Sequence, residues 1–322
     1  MKLNLKKVII VVLIIIILIV ILFFAFRNNT EVSTTNEITN TVINNIVNES
    51  NTLVVNVSAD QVEQAWEWQH DTLDNHNINA SAINSVHDTI DSYPINAEVI
   101  VKDGVIVDEY YKDGYNQNSV FSLQSTSKSV TSALIGIAID KGYIPSVNEP
   151  ISTYFPQILD SGSEYKSQIT IWNLLTHTTG LNASDTANWS EWLASDNWVD
   201  YVLERPATSR PGTVFSYFTG NTHLLSAILQ QATGKTAYEF GKEYLFDPLN
   251  MDSVQCSTDP QGISDGGNGF AMNVYDMAKL GELYLNNGNW NGEQIISEQW
   301  INDSTTLQFD RSSGSADYGY QW

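Results

Sequence analysis

Val120-Phe121-Ser122-Leu123-Gln124-Ser125-Thr126-Ser127-Lys128-Ser129-Val130-Thr131-Ser132-Ala133-Leu134-Ile135-Gly136-Ile137-Ala138-Ile139-Asp140-Lys141-Gly142 is the stretch on which the reading of this chain turns. Val120-Phe121 is short, apolar and extended in character. From Ser125 the period becomes helical, with Val130, Leu134, Ile137 and Ala138 on one face and Gly142 as the stop. Ser125 and Lys128 stand three apart at the start of that helix, so both side chains fall on one face and the amine can approach the hydroxyl. The positive end of the helix favours an alkoxide forming there. A lysine desolvated at such a place has its pKa lowered and can accept the serine proton. A chain of this length holds about one Ser-x-x-Lys by chance, and a second copy does occur at Ser163 and Lys166. That copy lies in a polar loop with no apolar-striped helix behind it, so Ser125 is the candidate nucleophile and Lys128 its base.

Working outward, residues 95–101 and 105–111 flank Asp103-Gly104, a two-residue turn signal, and predict a β-hairpin. Short amphipathic helical patterns precede it at residues 61–69 and 82–90. Beyond it, Leu224, Leu225, Ile228 and Leu229 form an apolar stripe that ends at Gly234, on a helix expected to be capped by Asn221. Thr236 and Glu239 make a capping box for the next helix, which stops before Pro248. Asn273 caps another, with Met277, Leu280 and Tyr284 inward and its end at Asn287-Gly288. A hairpin followed by many helices and long loops indicates an α+β fold.

The second chemical element is Pro211-Gly212-Thr213-Val214-Phe215-Ser216-Tyr217-Phe218-Thr219-Gly220-Asn221, a tight turn leading to a tyrosine on a loop that enters a helix. Such a tyrosine can shuttle a proton between a Ser/Lys pair and a leaving group. With both elements in view, residues 59–322 resemble the serine β-lactamase and penicillin-binding-protein superfamily. They look most like its class C β-lactamase-related branch of esterases, D-amino-acid peptidases and 6-aminohexanoate-dimer hydrolases. The segments that carry the resemblance are the strand pair ending at Tyr111, Ser125-Thr-Ser-Lys-Ser-Val-Thr-Ser132 and Leu174-Leu-Thr-His-Thr-Thr-Gly-Leu181. Pro211-Gly-x-x-Phe-x-Tyr217 and Asn273-Val-Tyr-Asp-Met-Ala-Lys-Leu-Gly281 add to it, as do Asp259-Pro-Gln-Gly262 with Gly266-Gly267 and the final Tyr318-Gly-Tyr-Gln-Trp322. The resemblance implies a β-lactamase/transpeptidase-like fold: an antiparallel sheet flanked by helices, plus a mainly helical subdomain. It implies Ser125 as the acylated nucleophile, Lys128 as base and Tyr217 as proton relay. The family's Tyr-x-Asn triplet reads Tyr217-Phe218-Thr219 here, which makes Thr219 the substrate-contacting position while removing the amide that meets β-lactam side chains. Its third motif, a Lys-Thr-Gly or His-x-Gly on a strand, is expected after Trp322, so the chain reads as lacking the C-terminal strands. The implied activity is hydrolysis of a small amide or ester, peptidoglycan-derived material included, through an acyl-enzyme. The alternative is an inactive surface module of the same fold that binds a wall component or peptide.

Three other signals have local explanations. Ser195-Asp196-Asn197, a signature of class A enzymes, stands before Trp198, Val199 and Val202 and reads as a helix cap. Gly234-Lys235-Thr236 lacks the upstream glycine of a phosphate loop and reads as a turn between helices. His177, inside the Leu174–Leu181 segment, is structural in the family and supports the site from behind.

The ends and the composition set the location. Residues 1–7 carry Lys2, Lys6 and Lys7, and residues 8–26 contain no charged, polar, Gly or Pro side chain. A helix of about 19 residues covers roughly 28 Å, close to the hydrocarbon core of a bilayer. That length exceeds a signal-peptide core, and no small-residue cleavage site follows. The expectation is a cytoplasmic tail at 1–7, a transmembrane anchor at 8–26, a flexible linker at 27–58 rich in Asn, Thr and Ser, and an extracytoplasmic hydrolase domain. The net charge of −22 comes without any basic run, which argues against nucleic acid as a partner. A single cysteine, Cys256, excludes an intramolecular disulfide. Neither Cys256 nor the five histidines have metal-ligand spacing, so no catalytic metal and no cofactor is expected.

Overall fold

The alternating residues around Asp103-Gly104 form the hairpin their pattern predicts. In a computed structural model that describes residues 66–310 and 317–322, strand β1 (Ala97–Lys102) pairs antiparallel with β2 (Val105–Tyr111). Asp103 and Gly104 make the turn at φ of 54° and 79°, the pair of left-handed conformations that a tight hairpin demands and that Gly adopts without strain. A register shift between Ile100 and Val101 adds local twist. Helix α1 (Ala80–Ser92), capped by Asn79, precedes the hairpin and contains the expected 82–90 pattern. The other early pattern, 61–69, is not helical in its described part. The Gln69 carbonyl accepts from Ile106 N–H at 2.8 Å and Asp71 N–H donates to the Ile106 carbonyl at 2.9 Å. Pairing with β2 therefore takes the backbone groups that a helix would have used.

Strand β3 (Phe121–Ser122) leads into helix α2 (Ser127–Asp140), and α3 (Ile171–Leu175), α4 (Asp185–Leu193) and α5 (Trp198–Glu204) follow. Helix α6 (Thr219–Thr233) and α7 (Ala237–Gly241), with its π-helical continuation Lys242–Phe246, complete the helical layer. The remainder is β4 (Gln255–Cys256), β5 (Phe270–Met272), α8 (Val274–Leu285), the hairpin β6 (Asn289–Trp290) and β7 (Glu293–Gln294), and α9 (Glu298–Thr305). Among the described residues the strands form three small antiparallel sheets, β1-β2, β3-β5-β4 and β6-β7. The expected single sheet flanked by helices is thus represented by a two-stranded hairpin. The three-stranded sheet, whose strands are two or three residues long, was not legible in advance.

The core lies between α2 and α6, which pack on each other. Val130, Leu134, Ile135 and Ile137 of α2 and Leu224, Leu225, Ile228 and Leu229 of α6 are fully buried, each contributing about 1.5–3 kcal/mol by leaving water. Helix α2 is buried on more than its predicted face, since Thr131, Ser132 and Ile135 are also at 0% exposure; it is a central helix with neighbours all round. Three caps read from the sequence are present: Asn197 on α5, Thr236 with Glu239 on α7, and Asn273 on α8. The Asn221 cap is not. Helix α6 starts three residues earlier, after Phe218, and its Thr219 N–H donates to the carboxylate of Asp185 at 2.7 Å. No helix among the described residues is long and apolar enough to cross a membrane; the expected tail, anchor and linker, and the rest of 1–65, lie outside the described residues.

Candidate active site

Ser125 sits in a 3-10 turn, Gln124–Thr126, between β3 and the first residue of α2. Gln124, just before it, holds φ at 48°, a conformation that costs a non-glycine residue energy and persists only when its surroundings enforce it. They do so here: Gln124 bonds to Ser122 Oγ at 3.0 Å and accepts from Asn268 at 3.1 Å. The result is an exposed serine over a buried lysine. Lys128 is 2% exposed and its Nζ lies 3.2 Å from Ser125 Oγ.

The amine has two further partners. It donates to the Gly267 carbonyl at 2.8 Å and lies 5.0 Å from the centre of the Tyr217 ring. Burial lowers its pKa to about 8, against the opposing pull of the Asp185 and Asp265 charges. An amine so poised can be neutral near physiological pH and take a proton from the hydroxyl beside it. The Gly267 carbonyl reaches the amine because residues 266 and 267 pass through a gap only glycine fits. A Cβ on Gly266 would meet Thr131 Oγ1 at 2.6 Å, and one on Gly267 would meet the Thr219 methyl at 2.4 Å. Thr131 Oγ1 donates to the Gly266 carbonyl at 2.7 Å, and Phe270 N–H to Ser127 Oγ at 3.1 Å. These bonds stitch the first turns of α2 to the 265–270 segment.

Tyr217 lies beside the pair, its ring centre 5.0 Å from Lys128 Nζ; burial raises the pKa of its hydroxyl more than the nearby Ser125 lowers it. Two neighbours fix the loop that carries it. The His177 carbonyl accepts from Ser216 N–H at 2.8 Å, and Asp185 N–H donates to the Tyr217 carbonyl at 3.1 Å. The Asp185 carboxylate then accepts from both Thr219 N–H and Thr219 Oγ1 at 2.7 Å. Thr219, expected to meet substrate, is 1% exposed and gives its hydroxyl hydrogen to Asp185. Its place is inside the loop bracket and not at the surface of the site, because both of its donors are taken.

His177 is fully buried with its ring 4.6 Å from that of Tyr217. Burial and the nearby Lys128 charge push its pKa down to about 3, so it is a neutral wall and not an acid or base at ordinary pH. Ser163 and Lys166 are not a pair: Lys166 Nζ donates to the Leu203 carbonyl at 2.6 Å. Ser195 Oγ donates to the Trp192 carbonyl at 2.7 Å while Asn197 caps α5, consistent with a helix-start role. Sequence reading missed Asp185 and the Gly267 carbonyl. The first looks like an ordinary first-turn acid after Ser184, and the second is a backbone atom far along the chain.

The Beta-lactamase family profile matches residues 95–322. The 6-aminohexanoate-dimer hydrolase of Paenarthrobacter ureafaciens is 23% identical over 216 residues, which are 63% of this chain and 55% of that protein. The D-alanyl-D-alanine-carboxypeptidase/endopeptidase AmpH of Escherichia coli K12 is 25% identical over 148 residues, 44% of this chain and 38% of that one. The chain thus spans about half or less of the length of these curated relatives. Among solved structures, a Bacillus anthracis protein assigned to the 6-aminohexanoate-dimer hydrolases superposes with a TM-score of 0.68 at 23% identity, covering 80% of this chain and 74% of its own. The octameric penicillin-binding protein homologue from Pyrococcus abyssi shares the fold at a TM-score of 0.60 and 19% identity, with coverage of 76% and 64%. The profile match extends over most of the chain and includes Ser125, Lys128 and Tyr217, and on it this chain belongs to the beta-lactamase family of serine hydrolases.

Proposed function

We propose that the protein hydrolyses a small amide or ester through an acyl-enzyme on Ser125. The observation that carries this is the buried Lys128 amine 3.2 Å from an exposed Ser125 hydroxyl, with a pKa lowered to about 8. Neutral Lys128 takes the hydroxyl proton as Ser125 Oγ attacks the substrate carbonyl carbon. The proton then passes by way of the Tyr217 hydroxyl to the leaving nitrogen or oxygen as the scissile bond breaks. Water attacks the resulting ester, losing its proton to the same pair, and the acid departs as Ser125 recovers its hydrogen. Asp185 acts indirectly, by bracketing Tyr217 and favouring the lysine's positive charge once it has formed. Relatives named for amide and peptide hydrolysis support the same substrate class, with peptidoglycan-derived peptides among the compounds to try.

The test is covalent labelling with a fluorophosphonate, followed by mass spectrometry of the peptide that contains Ser125. An adduct there, absent from Ser125→Ala, is the expected result. No adduct under conditions that label a control serine hydrolase would sink the proposal. Hydrolysis of short-chain p-nitrophenyl esters, D-aminoacyl amides and nitrocefin, compared side by side, ranks the substrates; esters or amides should lead. We further place the catalytic domain outside the cell on an anchor at residues 8–26, supported by the apolar length of that segment and the lysines before it. External protease digesting the domain of intact cells while leaving cytosolic markers whole is the expected outcome, and full protection would refute it.

A further inference from the structure

His87, Glu98 and Asp108 come from α1, β1 and β2 and meet on one face of the hairpin. The register explains the meeting. Glu98 stands opposite Tyr110 and Ile100 opposite Asp108, so the two carboxylates are diagonal neighbours on the same face. Helix α1 lays His87 across them, its ring stacked on Tyr110 with centroids 4.8 Å apart and planes 28° from parallel. His87 Nε2 is 2.7 Å from Asp108 Oδ2 and 3.5 Å from Glu98 Oε2, and the three side chains are only 23%, 16% and 19% exposed in the order His87, Asp108, Glu98.

Two features are left unexplained by an imidazole paired with carboxylates. Glu98 Oε2 is buried without a hydrogen-bond donor, a condition that costs a polar atom its hydration with nothing in return. Two carboxylates also share one imidazole, which can carry a single positive charge. A cation at the point where the three atoms converge removes both difficulties.

We propose that His87, Glu98 and Asp108 bind a divalent first-row transition ion, best matched by zinc, which fastens α1 to both strands of the hairpin. One imidazole nitrogen and two carboxylate oxygens form a zinc ligand set, whereas magnesium and calcium favour oxygen alone. Ligand atoms around a tetrahedral zinc stand roughly 3.3 Å apart at normal bond lengths of about 2.0–2.1 Å, and the 2.7 and 3.5 Å separations here bracket that spacing. Water completes the coordination. The ion's role is structural, because none of these residues belongs to the Ser125 constellation. The site has no sequence motif, since its ligands come from three elements.

The test is calorimetric titration of the chelator-treated full chain with zinc, and with magnesium as comparison, alongside thermal melting. Expected are one zinc per chain, a melting temperature raised by a few degrees at saturating zinc, and an affinity lowered on the order of tenfold or more in Glu98→Gln and His87→Gln. Glu98→Gln keeps the side-chain shape, and the wild-type titration stands whether or not either variant folds. Zinc that neither binds nor stabilises the wild type overturns the proposal. So does binding undiminished in folded variants, or magnesium binding equal to zinc.

Discussion

The chain carries two Ser-x-x-Lys strings, and they end differently. Both lysines are buried, Lys128 at 2% and Lys166 at 5% exposure, and burial lowers the pKa of both. Lys166 spends its amine on the Leu203 carbonyl, which ties the 3-10 turn Lys166–Gln168 to the end of α5. Lys128 divides its amine between a carbonyl, Gly267, and a hydroxyl, Ser125. The serine of the first pair is exposed and follows a strained residue; the Ser163 hydroxyl accepts a 3.4 Å bond from Lys166 N–H and has no amine beside it among the described residues. Burial of a lysine is therefore common to a staple and to the base we propose. What separates them is whether the amine's partner is itself reactive and reachable.

Substitution can break or sharpen this contrast. The largest effect belongs to the serines: Ser125→Ala should reduce ester hydrolysis on the order of 10⁴–10⁶-fold, while Ser163→Ala leaves kcat/KM unchanged, both read with a p-nitrophenyl ester. Equal loss in both would erase the distinction. Next, Lys128→Ala should lower kcat by roughly 10²–10⁴-fold. A base must be neutral, so wild-type kcat/KM should climb as pH rises through about 8, and that limb should vanish in the variant. The same shift has a sign in stability: the unfolded chain keeps the proton that the buried amine has lost, so the fold gains stability from about pH 8 up towards the ordinary value of 10.5. Tyr217→Phe, which keeps the ring against His177 and Lys128 but removes the relay hydroxyl, should cost roughly 10²-fold in kcat with little change in melting temperature. Smallest in activity is Lys166→Met. It should leave kcat/KM alone and destabilise by about 1–3 kcal/mol in urea unfolding, because the Leu203 carbonyl loses its donor.

How much of this could be read in advance follows the distance between partners. Ser125 and Lys128 are three residues apart, one in the 3-10 turn that leads into α2 and the other in its first turn, so their meeting is a local event that the pattern records. The Asn197, Thr236 and Asn273 caps and the Asp103-Gly104 turn are equally local, and all appear. The failures are non-local. Helix α6 was expected to be capped by Asn221, but a carboxylate from α4, Asp185, caps it from outside. The 66–69 segment gave up helix for pairing with β2, as tertiary contacts override weak periodicity. Thr219, whose position in the triplet implies substrate contact, has its hydroxyl engaged by the same Asp185. Gly267 contributes a backbone carbonyl 139 residues from Lys128, which no side-chain motif announces.

The exposed serine over a sunken lysine also dictates which reagents can tell the two apart. An electrophile that samples surface amines will modify Lys102, Lys242 and their like and pass over Lys128, whose amine is enclosed by Ser125, Gly267 and Tyr217. A carbonyl or phosphonate electrophile meets the hydroxyl first. For inhibitor chemistry directed at the proposed nucleophile, the consequence is that the warhead should be chosen for oxygen and not for the enclosed amine.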